Sequence, residues 1–213
     1  MVYSIKDVQQ VIKLSIEEIV SSKDVLTDLD SLSGDGDMGI SMEKGALALK
    51  SEFSTYEGED IGEFFIKCAL AFNKAAPSTM GTLLSGAIMA LGKEFKGQRV
   101  MDDTKVIKIP AIMAKAIMNR GKAQIGDKTI IDALIPLSNA FEASYNENID
   151  LKIALKEASK AAKQGAEDTK GMMAKVGRAK WKAERSQEYL DGGAVLCSII
   201  ITALAGLPRT SYN

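Results

Sequence analysis

Three aspartates, Asp30, Asp35 and Asp37, lie within eight positions of one another in a glycine-rich stretch near the start of the chain. Close carboxylates repel one another by about 4 kcal/mol per pair at an effective dielectric of about 20, so a fold that gathers them favours a cation there. Mg²⁺ is the natural candidate, because it binds a few carboxylates and completes its shell with water and substrate phosphates. The stretch therefore predicts a magnesium site. A helix connection rich in aspartate, without metal, explains the composition equally well.

Three other glycine-rich or acidic motifs fail in this chain. Gly34, Gly36 and Gly39 spell G-x-G-x-x-G, but the residues before them have helical spacing, so the strand that feeds a dinucleotide loop is missing. An EF-hand is excluded because the twelfth position counted from Asp35 is Ala46 rather than a bidentate glutamate. A P-loop is excluded because its spacing and its final hydroxyl residue are missing.

Composition narrows the function classes. The 213 residues, 1–213, are expected to form a single domain. The 27 basic residues nearly balance the 28 acidic ones, so no overall field attracts nucleic acid or an anionic membrane. The longest apolar stretch, Ala194 to Leu204, is too short to span a bilayer. We therefore expect a cytoplasmic protein that binds neither nucleic acid nor membrane.

The sequence contains no histidine. The chain therefore has no histidine general base, no zinc site built from histidines and no phosphohistidine. If a phosphoryl group passes through this protein, it must be carried by a bound molecule.

Helical periodicity dominates the sequence, and no segment predicts a strand convincingly. The apolar spacing predicts eight helices, which lie near residues 5–25, 40–53, 60–74, 79–95, 110–120, 129–141, 151–172 and 194–204. Amphipathic helices with short connections favour an antiparallel, up-and-down arrangement. Alternate connections then meet at one end, which brings together residues 30–39, 77–81, 121–129 and 175–193.

The connection before the last helix is too long to be a simple turn. Residues 173–186 carry five cations and the only tryptophan of the sequence, Trp181. Long connections in compact domains are usually functional or disordered. We expect residues 175–186 to form a lid over a metal-bound polyphosphate, with a solvated charged loop as the alternative.

Taken together, these motifs resemble the ADP-binding L subunit of bacterial dihydroxyacetone kinases, and the match covers nearly the whole chain. The shared patterns are L-D-x-x-x-G-D-G-D-M-G at 29–39, a glycine-containing helix start at 79–86, G-D-K-T-x-x-D at 126–132, and G-R-A, E-R-S and D-G-G-A between 177 and 194. Each is weak alone, but their order and spacing are specific. The resemblance implies an all-α, antiparallel eight-helix barrel with the nucleotide site at one rim.

The resemblance also implies the ligands and their residues. Three aspartates hold two Mg²⁺ ions in this family, and they correspond to Asp30, Asp35 and Asp37. The residues that correspond to nucleotide contacts, for ADP or ATP, are Met38, Gly39, Ile40, Ser41, Thr79, Met80, Gly121, Ile130, Arg178, Asp191, Gly192 and Gly193. Arg178 would also stabilise the charge on the transferred phosphoryl group.

Three positions depart from the family pattern. The family usually has histidine at the position of Met38, a small hydroxyl residue at that of Met80 and proline at that of Gly192. The two thioethers cannot donate a hydrogen bond, so the nucleotide would lose polar partners there.

The implied function is a phosphotransferase subunit of a kinase for dihydroxyacetone or a related short ketose. A separate K-type subunit would bind the ketose, and a phosphohistidine protein of the phosphotransferase system would rephosphorylate the bound ADP. Two alternatives are a nucleotide-binding regulatory subunit without transfer activity and the nucleotide domain of a fatty-acid-kinase-like protein. The ketose, the phosphoryl donor and the oligomeric state, including a homodimer, stay open.

Overall fold

The computed structural model describes residues 1–208 and 212, and the rest of the expected 1–213 domain lies outside the described residues. Helices form most of the described chain. In order, the elements are β1 (Val2–Ser4), α1 (Ile5–Ser21), α2 (Lys23–Ser33), α3 (Met38–Thr55), α4 (Ile61–Ala75), α5 (Thr79–Glu94), β2 (Val100–Asp102), α6 (Asp103–Val106), α7 (Ile109–Gly121), α8 (Ile131–Asn148), α9 (Leu151–Asp168), a 3-10 helix (Arg178–Lys182), α10 (Ala183–Ser186) and α11 (Gly192–Leu204).

The predicted all-α class is confirmed, with one small addition. β1 and β2 form a two-stranded antiparallel sheet in which Tyr3 pairs with Met101. Strands of three residues are too short to show an alternating apolar pattern, which explains why the sequence did not reveal them.

Side-chain caps fix where several helices begin. Ser78 Oγ accepts a hydrogen bond from the N–H of Gly81 at 3.1 Å and so caps α5. Asp60 caps α4 in the same way by accepting from the N–H of Glu63 at 3.0 Å. These two caps define where α4 and α5 begin.

The acidic stretch is more helical than the sequence predicted. The first predicted helix is divided at Ser22 into α1 and α2, and α2 continues to Ser33. Asp30 therefore lies in the last turn of a helix rather than in the following connection. At α7, Gly121 is the last helical residue, and Lys122 after it takes a left-handed conformation, with φ of 53°.

The long helices pack in a regular order. Each long helix contacts the next one in a series, and the last helix of the series contacts the first. The series runs through α1, α3, α4, α5, α7, α8, α9 and α11. Leu26, Phe64, Phe72, Ile117 and Leu196 are fully buried between them. None of the described helices is both long and apolar enough to cross a membrane.

Candidate nucleotide and metal site

Four connections and the helix ends beside them line one cleft of about 800 Å³. The connections are residues 34–37, 76–78, 122–130 and 169–191. They are the connections that the up-and-down pattern brings to one end of the protein. The cleft combines the acidic triplet, several backbone turns and a group of apolar side chains.

The three aspartates of the acidic stretch do come together. One carboxylate oxygen from each of Asp30, Asp35 and Asp37 lies within 4.8 Å of the others. Asp30 Oδ2 accepts hydrogen bonds from the N–H groups of Asp37 at 3.0 Å and Met38 at 3.3 Å, so it fixes the start of α3. Gly36 allows the turn, because its φ is 75° and a Cβ there would lie 2.6 Å from Ser31 Oγ. Three partly exposed carboxylates in this arrangement can hold a hard cation.

Arg178 places a positive charge on the acidic triplet. Its Nη1 forms an ion pair with Asp35 Oδ2 and lies 3.9 Å from Asp37 Oδ2. Arg178 is the first residue of the 3-10 helix and follows Gly177, whose φ is 69°. A planar guanidinium here can contact two oxygens of a phosphate at once.

The cleft also has apolar lining residues. They are Met80, Leu83, Ile117, Ala123 and Ile130. Such a surface suits the flat face of a nucleotide base. The cleft also reaches the N-terminus of α5, which Thr79 begins, and the positive end of a helix favours an anionic group.

Two methionines and two glycines that line the cleft lie close to each other. A Cβ on Gly192 would lie 3.1 Å from Met38 Sδ, and a Cβ on Gly193 would lie 2.6 Å from Met80 Cε. The departures from the family pattern at Met38 and Gly192 are therefore in contact. The glycines leave the space that the thioethers occupy.

Asp191 and Lys128 are charged residues that both line the cleft. Asp191 Oδ1 caps α11 by accepting from the N–H of Ala194 at 2.8 Å. Burial raises the pKa of Asp191 to about 6. Burial also lowers the pKa of Lys128, while the carboxylates of Asp191 and Asp132 oppose that shift.

Three residues that correspond to family contacts lie away from the cleft. Gly39, Ile40 and Ser41 are in the first turn of α3, and none of them lines the cleft. Gly39 faces α2, since a Cβ there would lie 2.1 Å from the carbonyl oxygen of Lys23. The other predicted contacts, from Met38 through Thr79, Met80, Gly121, Ile130 and Arg178 to Asp191, Gly192 and Gly193, all line it.

Sequence reasoning missed several lining residues. Among them are Asn73, Thr82, Arg120 and Lys128. Only Lys128 had a signal, because it belongs to the G-D-K-T-x-x-D pattern. The others carry no local motif, and only the packing of α4, α5 and α7 brings them to the cleft.

Comparison with known proteins identifies the class. Residues 33–206 match the family model described as the DAK2 domain, so the chain belongs to that family. Within it, the chain is a DhaL-like domain, and the resemblance drawn from the motifs is confirmed.

Two curated relatives illustrate its range. The ADP-binding subunit DhaL of PEP-dependent dihydroxyacetone kinase 1 from Listeria innocua is 30% identical over 188 residues, which cover 88% of this chain and 89% of that subunit. The L-erythrulose kinase of Pectobacterium atrosepticum is 33% identical over 181 residues, which cover 84% of this chain and 31% of that kinase. The chain thus spans about a third of such longer relatives.

A solved structure shares the fold. The dihydroxyacetone kinase of C. freundii in complex with AMP-PNP and Mg²⁺ aligns with a TM-score of 0.74 at 22% identity. The alignment covers 97% of this chain and 34% of that chain. At this identity the likeness concerns the fold.

Proposed function

We propose that this chain is a Mg-ADP/ATP-binding phosphotransferase subunit of a kinase for dihydroxyacetone or a related short ketose. The observation that carries the proposal is the meeting of Asp30, Asp35 and Asp37 with Arg178 in a cleft that also has apolar lining residues. Metal-bound phosphates and a nucleotide base need these two environments side by side.

The acidic triplet would hold two Mg²⁺ ions, which neutralise charge on the phosphates when bound. Arg178 would stabilise the charge that develops on the transferred phosphoryl group. The phosphates and the ribose of the nucleotide would be oriented by two helix starts. These are Thr79 and Met80 at the start of α5, and Asp191 to Gly193 at the start of α11. Catalysis of this kind works by positioning and electrostatics.

We also propose that the helices form an antiparallel eight-helix barrel with the nucleotide at one rim. The order of helix contacts supports this arrangement, since the series that begins at α1 and passes through α3 to α11 returns to α1. In this barrel, α1 and α2 together would occupy the position of the first helix. The cleft then lies where alternate connections meet.

Two partners belong to the proposal. A K-type subunit would bind the ketose, since the DhaL relatives are named as the ADP-binding subunits of their kinases. A phosphohistidine protein of the phosphotransferase system would supply the phosphoryl group, because this chain has no histidine to carry one. Two relatives are named as erythrulose kinases, so a four-carbon ketose is a second candidate substrate.

The test is a transfer assay with labelled phosphate. The chain, loaded with Mg·ADP, is incubated with the labelled donor protein, and label is expected in nucleotide extracted by acid. Addition of a K-type subunit and ketose should then move the label to the sugar. Label that stays on the polypeptide would overturn the carrier scheme. Nucleotide binding without any transfer would favour a regulatory subunit.

A further inference from the structure

Lys128 reaches both ends of the long connection between α9 and α11. Its Nζ donates hydrogen bonds to the carbonyl oxygens of Thr169 and Tyr189. Thr169 is the first residue of that connection, and Tyr189 lies two positions before Asp191, its last residue. One ammonium group therefore joins two chain segments that are 20 positions apart, and the connection leaves and returns to the same point.

Further hydrogen bonds link the same two ends. The N–H of Asp191 donates to Thr169 Oγ1, and that of Gly171 donates to the carbonyl oxygen of Gln187, both at 2.9 Å. The N–H of Ala174 donates to Ser186 Oγ at 2.9 Å. We call residues 169–174 and 186–191 the neck. Residues 176–182, with Arg178 and Trp181, extend beyond it.

The connection that carries Lys128 is itself held firmly. Asp132 Oδ1 accepts from the N–H of Gly126 at 2.6 Å, and its Oδ2 accepts from the N–H of Thr129 at 2.7 Å. Asp127 adds a second link to the neck region, because its carbonyl oxygen accepts from the N–H of Lys175 at 3.2 Å. Lys128 therefore lies in a connection whose backbone is held by several hydrogen bonds.

Two unfavourable features meet at Lys128. Its side chain is only 3% exposed, and a buried ammonium is costly unless polar partners surround it. Its φ is 60°, a left-handed conformation that residues other than glycine rarely adopt. Such features persist where the surrounding structure holds them, and they cluster at functional sites.

We infer that Lys128 is a positioning residue that holds the neck closed, so that Arg178 lies over the acidic triplet when Mg·ADP binds. The inference rests on the proposed function. Hydrogen bonds from a charged donor are strong in a buried setting, and two of them from one atom fix the separation of the two segments. Because Lys128 also lines the cleft, the neck is tested first without ligand.

The experiment compares Lys128→Met and Lys128→Gly with Lys122→Met. The glycine variant accepts the left-handed backbone and removes only the side chain, so it separates the ammonium from backbone strain. Lys122 is the matched control, because it lies in the same connection with φ of 53° but is exposed.

Hydrogen exchange without ligand tests the neck directly. The amides of Gly171, Ala174 and Asp191 should exchange about tenfold faster in both Lys128 variants than in wild type, because the neck opens more often. Lys122→Met should match wild type. Equal exchange in all four proteins would overturn the inference, whether or not the chain binds nucleotide.

Ligand binding separates positioning from a purely structural role. If the competent lid position is populated about tenfold less, the Kd for Mg·ADP should rise about tenfold. The Kd for Mg²⁺ alone should stay unchanged, because the aspartates are untouched. Trp181 is 91% exposed and is the only tryptophan in the sequence, so its fluorescence reports the lid.

In wild type and Lys122→Met, Mg·ADP should change this fluorescence, and in the Lys128 variants most of the change should be lost. An unchanged Mg·ADP response in the Lys128 variants would refute the positioning role. Wild type that binds no Mg·ADP would instead contradict the proposed function, while the exchange data would still decide whether Lys128 closes the neck.

Discussion

Arg178 forms an ion pair with Asp35, although one residue lies in the α9–α11 connection and the other between α2 and α3. The same carboxylate belongs to the triplet that can hold a metal ion. The guanidinium and a bound cation would therefore compete for the same carboxylate oxygens. Arrival of a metal would leave Arg178 free to meet the phosphates that come with it.

The acidic triplet predicts the effect of neutralising one carboxylate. Asp35→Asn and Asp37→Asn should each abolish retention of Mg·ADP, because the amide keeps the size of the side chain and removes the charge that a hard cation needs. Isothermal titration calorimetry measures this. Asp28→Asn is the matched control, since Asp28 is exposed on α2 and lies outside the triplet. Wild-type affinity in both triplet variants would refute the metal assignment.

Arg178→Lys should separate transfer from binding. A lysine keeps the charge but loses the planar group that can contact two phosphate oxygens, so kcat should fall by about 100-fold while Kd for Mg·ADP changes by less than about threefold. Steady-state kinetics and calorimetry on the same sample give the two numbers. Arg185→Lys, at an exposed position in α10, should leave both unchanged. Equal losses in kcat and affinity would make Arg178 a binding residue only.

The helices and the acidic triplet could be predicted from the sequence because their signals are local. Apolar spacing and caps such as Ser78 lie within one or two helical turns. The exact start of α3 could not be predicted, since the carboxylate that accepts from its first N–H groups belongs to Asp30, in the preceding helix. The role of Lys128 was also hidden, because its partners are backbone carbonyls 41 and 61 positions away.

The close approach of Met80 to Gly193 predicts that a side chain at position 193 destabilises the protein. Gly193→Ala places a Cβ 2.6 Å from Met80 Cε and 3.1 Å from Ile130 Cβ, and such overpacking costs about 1–3 kcal/mol of unfolding free energy. In a Met80→Ala background the same substitution should cost less, because the methyl group that it meets is gone. Gly86→Ala in α5 is the control, because its Cβ meets only Arg120 Cδ at 3.4 Å and should stabilise the helix by about 0.5–1 kcal/mol. Urea unfolding measures wild type, the three single variants and the double variant.

If Gly193→Ala unfolds at the same urea concentration as wild type, the methionine does not fill that space in solution. If Gly193→Ala costs the same with and without Met80→Ala, the two residues do not compete for that space.

Asp191 predicts a stability difference that depends on pH. Burial raises its pKa from 3.8 to about 6 in the folded protein, so the folded state binds the proton more readily than the unfolded chain does. The sign follows from that difference: this carboxyl group favours folding when protonated, below about pH 4, and its contribution is lost as the pH rises through about 6. Lys128 and Asp132 are the charged groups that act on it, with opposite signs.

Asp191→Asn removes the ionisation and keeps a side chain that can still cap α11, because asparagine is as good an N-cap as aspartate. Its unfolding free energy relative to wild type should therefore increase between pH 4 and pH 7 by roughly 1–3 kcal/mol, less than a full two-unit shift because the cleft admits solvent. Urea unfolding at half-unit steps of pH, with Asp150→Asn at the cap of α9 as the control, measures the difference. A difference that stays constant across this range would show that the carboxyl group titrates at its ordinary value in the folded protein.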